Sequence, residues 1–223
     1  MLSETDNLRL LNKRISELKL KGNVVLAFDF DELVIPIHLT REVTQKVSRP
    51  IDKNLLDKLG SCSFNGILYL NSLIYEYDFK AYKKIRDKIA KETNWTEGFD
   101  KLLIDLTKKY SVIFISSGIK DICEAKLKEI KFDSRNILAD EFDTWGNKIV
   151  SSNLIVSDGL KGYIVKKLRG VNYKVIAVGH SSGDKTMLEN ADISISVNSK
   201  IPDLAQYDVK SVKELSDVIE RLT

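Results

Sequence analysis

The 223-residue chain has little that marks a specialised class. It has two cysteines, three prolines and no apolar run long enough to span a bilayer. The cysteines, Cys62 and Cys123, lie far apart without metal-type spacing, so they read as reduced thiols of a cytosolic protein. The start, Met1-Leu2-Ser3-Glu4-Thr5-Asp6, is acidic and polar, unlike a secretory signal. Charge of one sign is not concentrated either. The net charge is +3, the lysines are spread along the chain, and no basic block offers a nucleic-acid footprint. Internal repeats and low-complexity segments are absent. These absences make a cytoplasmic protein with no nucleic-acid and no membrane partner the expectation. What is present is a globular balance of 43% hydrophobic and 30% charged residues. That length and balance suit one good-sized core, or one domain with a small insert.

The first pattern is helical. Leu8, Leu11, Ile15 and Leu18 recur at helical spacing over residues 3–20, with Ser3 placed to cap and Gly22 following. The apolar face of such a helix would suit a homodimer contact or pack on its own domain. The period then changes. Residues 23–28 form a short apolar run that ends abruptly in Asp29, as a strand buried on both faces does. Similar runs follow at 111–115, 136–139, 173–178 and 192–197, with helical stretches between and after them near 97–109, 119–130, 160–169, 184–190 and 211–222. This alternation predicts an α/β fold with a doubly wound, mainly parallel sheet. Residues 36–95 interrupt it with helical patterns at 40–47, 53–59, 64–77 and 79–92 and no core strand. They read as a helical cap inserted after the first strand, hanging over the Asp29–Asp31 turn. The division is then 1–21 for the N-terminal helix, 22–35 with 96–223 for the core, and 36–95 for the cap. Residues 143–148 read as a hairpin turn.

In a doubly wound sheet the ligand lies beyond the carboxyl ends of the strands. There the sequence places Asp29-Phe30-Asp31, Ser116-Ser117-Gly118 and Gly179-His180. Two carboxylates so close are costly without a cation, and a divalent ion with oxygen ligands removes that cost. One acid could then attack phosphorus while the other moves the proton. By spacing alone, Asp29 as a turn cap beside a solvated Asp31 explains the pair as well. Ser117 with Asp121 could be only a helix cap, and Lys161 only one surface lysine among many.

Taken in order, the motifs resemble the haloacid dehalogenase-like superfamily, in its phosphoserine-phosphatase-like branch. The resemblance covers about residues 22–223. It rests on Asp29-Phe30-Asp31; on Ser116-Ser117-Gly118 after the helix begun by Thr96-Glu97-Gly98-Phe99; on Leu160-Lys161-Gly162; and on Val178-Gly179-His180-Ser181-Ser182-Gly183-Asp184. It implies a metal-dependent phosphatase that hydrolyses a small phosphorylated metabolite through an aspartyl-phosphate. Asp29 would be nucleophile and metal ligand, and Asp31 acid/base and a ligand through its carbonyl. Ser116, Ser117 and Gly118 would hold phosphoryl oxygens, Lys161 would offset charge, and Asp184 would sit at the metal's edge. Such a site works by positioning and electrostatics.

The sequence departs from that pattern in three places. His180 stands where the fourth motif carries an acid that binds magnesium. Neutral imidazole suits manganese or another transition ion better than magnesium, so His180 joins Asp29, Asp31 and Asp184 as a metal candidate, and Mg2+, Mn2+ or a related ion is the cofactor. Leu33 replaces a smaller residue, a substitution that keeps the position apolar. The cap positions that hold the amino and carboxylate groups of phosphoserine fall near His38 and Asn71, which implies another substrate. The alternative to an enzyme is a non-catalytic relative, its motif acid replaced by His180, that binds a phosphorylated ligand or a protein partner.

Overall fold

The computed structural model describes every residue except 1, 2, 61, 62, 200 and 202. In chain order the elements are α1 (Glu4–Ser16), β1 (Val24–Phe28), α2 (Leu39–Val47), α3 (Lys53–Leu59), α4 (Phe64–Ser72), α5 (Phe79–Glu92), α6 (Phe99–Lys109) and β2 (Ser111–Ile119). They continue with α7 (Lys120–Leu127), β3 (Ile137–Trp145), β4 (Lys148–Leu154), α8 (Asp158–Gly170), β5 (Lys174–Gly179), α9 (Lys185–Glu189), β6 (Ile193–Val197), β7 (Tyr207–Val209) and α10 (Val212–Leu222).

The strands form one sheet in the order β4-β3-β2-β1-β5-β6-β7, parallel throughout except for the β3–β4 hairpin. Side chains alternate across it. Val25 and Ala27 join Ile113, Ile115, Val175 and Ala177 in the core under α1, α8 and α9. Leu26 and Phe28 join Val112, Phe114, Ile176 and Val178 in the core on the opposite face. Both faces are covered, which is why these strands read as unbroken apolar runs. The strand order reverses at β1, so the chain leaves β1, β2 and β5 in diverging directions and opens a crevice beyond their carboxyl ends.

Helices α2–α5 lie between β1 and β2 as an inserted helical subdomain. Buried and half-buried polar pairs tie them to the core. Tyr82 Oη donates to Asp121 at 2.6 Å, Arg86 Nη1 to Asp121 at 2.9 Å, and Asn71 Nδ2 to Asp140 at 2.7 Å.

Three elements differ from the expectation. Helix α1 stops at Ser16, because the chain beyond it crosses the strand ends: the Lys19 amide donates to Asn136 Oδ1 at 2.7 Å and the Lys21 amide to Ser111 Oγ at 2.6 Å. Helix α4 stops at Ser72, because Glu76 takes φ 70° and its amide donates to the Ile149 carbonyl at 2.8 Å. Periodicity reads 73–77 as helix, but 73–75 make only i→i−3 turns and Glu76 and Tyr77 pair with Ile149 of β4. Strand β7 is three residues long and was not anticipated.

The apolar face of α1 packs on its own chain. Leu11 is fully buried there, with Leu10, Ile15 and Leu18 against the same core. Leu8 of the same face stays exposed. Cys123 is a buried free thiol, while Cys62 lies outside the described residues. None of the described helices is long and apolar enough to cross a membrane.

Candidate metal and phosphate site

The crevice at the reversal of strand order holds the candidate residues. The Asp29 amide continues the ladder to the Val178 carbonyl at 3.0 Å, which fixes its side chain at the tip of β1. Lys161, on the first turns of α8, reaches in and donates to Asp29 Oδ1 at 2.8 Å and to Asp184 Oδ1 at 2.7 Å. All three residues are buried. Burial opposes the charge on Lys161, but the two carboxylates outweigh it and hold the ammonium well above its usual pKa. Burial likewise opposes the Asp184 carboxylate, but the Lys161 charge and the His180 contacts hold it well below the usual range.

Asp184 Oδ2 also closes the loop after β5. It accepts from the His180 amide at 2.9 Å, the Ser181 amide at 3.1 Å and Ser181 Oγ at 3.2 Å. Gly179 permits this approach: a Cβ there would stand 2.6 Å from Asp184 Cβ. A side chain would push the acid out of the crevice.

His180 Nδ1 lies 3.4 Å from both Asp29 Oδ2 and Asp184 Oδ2. Neither contact is a formed hydrogen bond, and Nδ1 is buried without a partner. Burial alone would lower the histidine pKa, but the Asp184 and Asp29 carboxylates raise it to about 10. A position between two carboxylates calls for positive charge, supplied by a proton or a metal ion. The Asp29, His180 and Asp184 donor atoms lie within 4.8 Å of one another. The orphaned nitrogen and the oxygen–nitrogen–oxygen set fit a divalent cation.

Asp31 turns elsewhere. Its Oδ1 accepts from the Leu39 amide at 2.8 Å, at the start of α2. Its Oδ2 lies 3.1 Å from His38 Nδ1. Burial alone would lower the His38 pKa, but Asp31 outweighs it and raises it. His38 Nδ1 also stands 3.3 Å from the Arg41 amide, so a charged ring turns its proton to Asp31 and gives up that cap. Ser116 Oγ accepts from the Gly118 amide at 3.0 Å. A Cβ on Gly118 would come 3.1 Å from Asp31 Oδ2 and would collide with Thr40 Oγ1, so only glycine lets α2 approach β2 here. Ser117 is half-buried and is not a helix cap: α7 starts after Ile119, and Asp121 binds Tyr82 and Arg86.

The crevice therefore gathers Asp29, Lys161, His180 and Asp184, with Asp31, Ser116 and Gly118 beside them. It adds His38, Thr40 and Glu32, whose place at the site the motif spacing did not show. One signal was available: the chain has two histidines, and both stand against these acids.

No family profile matches the sequence, and no curated protein matches it. Solved structures do match. A phospho-aspartyl intermediate analogue of phosphoserine phosphatase aligns with TM-score 0.69 at 16% identity, over 89% of this chain and 99% of that one. The phosphoserine phosphatase from T. onnurineus aligns with TM-score 0.66 at 23% identity, over 90% of this chain and 96% of that one. A had family hydrolase from Salmonella enterica serovar Typhi gives TM-score 0.66 at 17% identity, over 85% and 68% of the two chains. The chain has the haloacid dehalogenase-like fold, in the form found in phosphoserine phosphatases. At these identities the likeness establishes the fold and leaves activity to the site.

The site corrects the expectation of an aspartyl-phosphate phosphatase. That mechanism needs an acidic metal cluster that leaves one carboxylate to attack and another to move protons. Here the cluster is Asp29, His180 and Asp184, with histidine in place of an acid. Asp29 faces the lysine through one oxygen and the imidazole through the other. Asp31 gives one oxygen to the start of α2 and turns the other to His38.

Proposed function

We propose that the protein binds a small phosphorylated molecule at this crevice without forming an aspartyl-phosphate. The observation that carries this reading is the His180 ring between Asp29 and Asp184, in a site that otherwise keeps an anion-binding design. Lys161 brings a buried positive charge to the strand ends, and Ser116 and Gly118 bring the β2 terminus beside it. Charge-assisted contacts of this kind recognise phosphate strongly. Asp29, His180 and Asp184 would hold a divalent ion, which supplies positive charge for the phosphate oxygens when bound. The residues nearest the expected specificity positions, His38 and Asn71, bond to Asp31 and Asp140 instead, so no amino-acid headgroup is called for.

Calorimetric titration with inorganic phosphate in manganese should show saturable binding. The same protein incubated with p-nitrophenyl phosphate and magnesium, manganese, cobalt or nickel should release no p-nitrophenol above the blank. Turnover that disappears in Asp29→Asn would overturn the reading, and so would failure of phosphate to bind with any of the four ions.

A further inference from the structure

The second nitrogen of His180 faces a carboxylate that the phosphate site does not use. His180 Nε2 lies 3.9 Å from Glu32 Oε2, and among the described residues no other carboxylate comes within 4.0 Å of that nitrogen. The separation is an ion-pair distance, so the carboxylate acts on the ring through its field more than through a formed hydrogen bond. Glu32 has a side chain that is about half exposed and leaves the chain from an uncommon backbone. Its φ is 59°, a left-handed conformation that a glutamate adopts at a cost, and its amide donates to the Ile37 carbonyl at 3.1 Å. On the other side of the ring, Nδ1 is buried without a hydrogen bond and faces Asp29 and Asp184.

A neutral imidazole carries one N–H and one lone pair, and the partner of the N–H decides which nitrogen is the donor atom to a metal. Once a cation occupies the cluster Nδ1 must give up its proton, and a carboxylate beside Nε2 then favours the remaining proton there, with the Nδ1 lone pair aimed at the ion. The geometry points to Glu32 as a positioning residue that fixes His180 as a nitrogen ligand, so that Asp29, His180 and Asp184 take a transition-metal ion in preference to magnesium. The inference rests on the cluster holding a divalent ion, and it does not depend on what phosphorylated molecule binds above it. Magnesium demands oxygen donors in near-ideal octahedral geometry, whereas cobalt, nickel and zinc accept imidazole readily.

The test uses metal alone, with no phosphate present. Cobalt(II) added to the protein should give a visible d–d spectrum and bind at least 100-fold more tightly than magnesium in calorimetry. Glu32→Gln should weaken cobalt by up to about 10-fold, the lower end of the effect of losing an outer carboxylate partner, with magnesium affected much less. His180→Asp should narrow the cobalt preference, and in that background Glu32→Gln should no longer matter. Thermal melts establish that each variant is folded. Equal weakening of cobalt and magnesium by Glu32→Gln would overturn the inference, because that is simple loss of a charge. The same effect of Glu32→Gln with and without His180, or no cobalt binding by the wild-type protein, would overturn it too. Phosphate binding is read separately, so failure of either reading leaves the other standing or falling on its own result.

Discussion

Lys161 holds two buried carboxylates at once, and that decides what its loss would do. Its ammonium sits 2.8 Å from Asp29 and 2.7 Å from Asp184, with almost no access to water. An ion pair in such a place is expensive to form but more expensive to break from one side, because the remaining charge stays buried. Lys161→Met should therefore destabilise the protein by about 3–5 kcal/mol, read as a lower urea midpoint with an unchanged slope. A loss below about 1 kcal/mol would show that the acids take up protons or water instead. Lys161 could not be told from the chain's other lysines by composition. Its place in an order of motifs raised it, and the fold put its amine on both acids.

Helix α1 is attached to the core by a residue that periodicity ignores. The Asn7 side chain receives the Ile155 amide at 2.7 Å and donates to the Ile155 carbonyl at 2.9 Å, as a neighbouring strand would. Asn7→Ala would leave both buried backbone groups unpaired, at a cost of about 1–3 kcal/mol. Hydrogen exchange of the α1 amides should speed up in that variant more than exchange in β1. Unchanged protection would mean that Leu11 and its apolar neighbours hold the helix without the polar clamp. The spacing of Leu8, Leu11, Ile15 and Leu18 does announce the helix. It does not announce its end at Ser16, which is set by Asn136 and Ser111, residues more than 90 positions away in sequence. The same holds for 73–77, where pairing of Glu76 and Tyr77 with β4 overrides a helical pattern.

Asp140 is a fully buried acid away from the crevice, and it couples the stability of the whole molecule to pH. Asp140 lies where the inserted helices meet the sheet, taking the Asn71 amide at 2.7 Å and the Val156 amide at 2.7 Å. Burial pushes its pKa up to about 8, against those two donors and the charge of Lys161. The unfolded value is about 3.9. Between about pH 4 and pH 8 the folded chain keeps a proton that the unfolded chain has lost, so stability falls as pH rises through that window. The slope from this group is at most about 1.4 kcal/mol per pH unit. Urea midpoints measured from pH 5 to pH 8 should decline, and Asp140→Asn should flatten the decline. An unaltered slope in that variant would assign the dependence to other groups.

The sequence by itself determined the five parallel strands β1, β2, β3, β5 and β6 and the position of the insert, because hydrophobic periodicity is a local record of how each segment meets the core. It also brought Asp29, Ser116 and His180 to one end of the sheet, since polar residues closing apolar strands mark the crevice, while Lys161 and Asp184 came there only through the order of motifs. Tertiary structure alone decided what these residues do to one another. That Asp31 serves α2, that His38 turns its ring to Asp31, and that His180 lies between two acids with Glu32 behind it are matters of distance and burial. Charge interactions change with separation and desolvation over a few ångströms, and neither quantity is written in the order of residues.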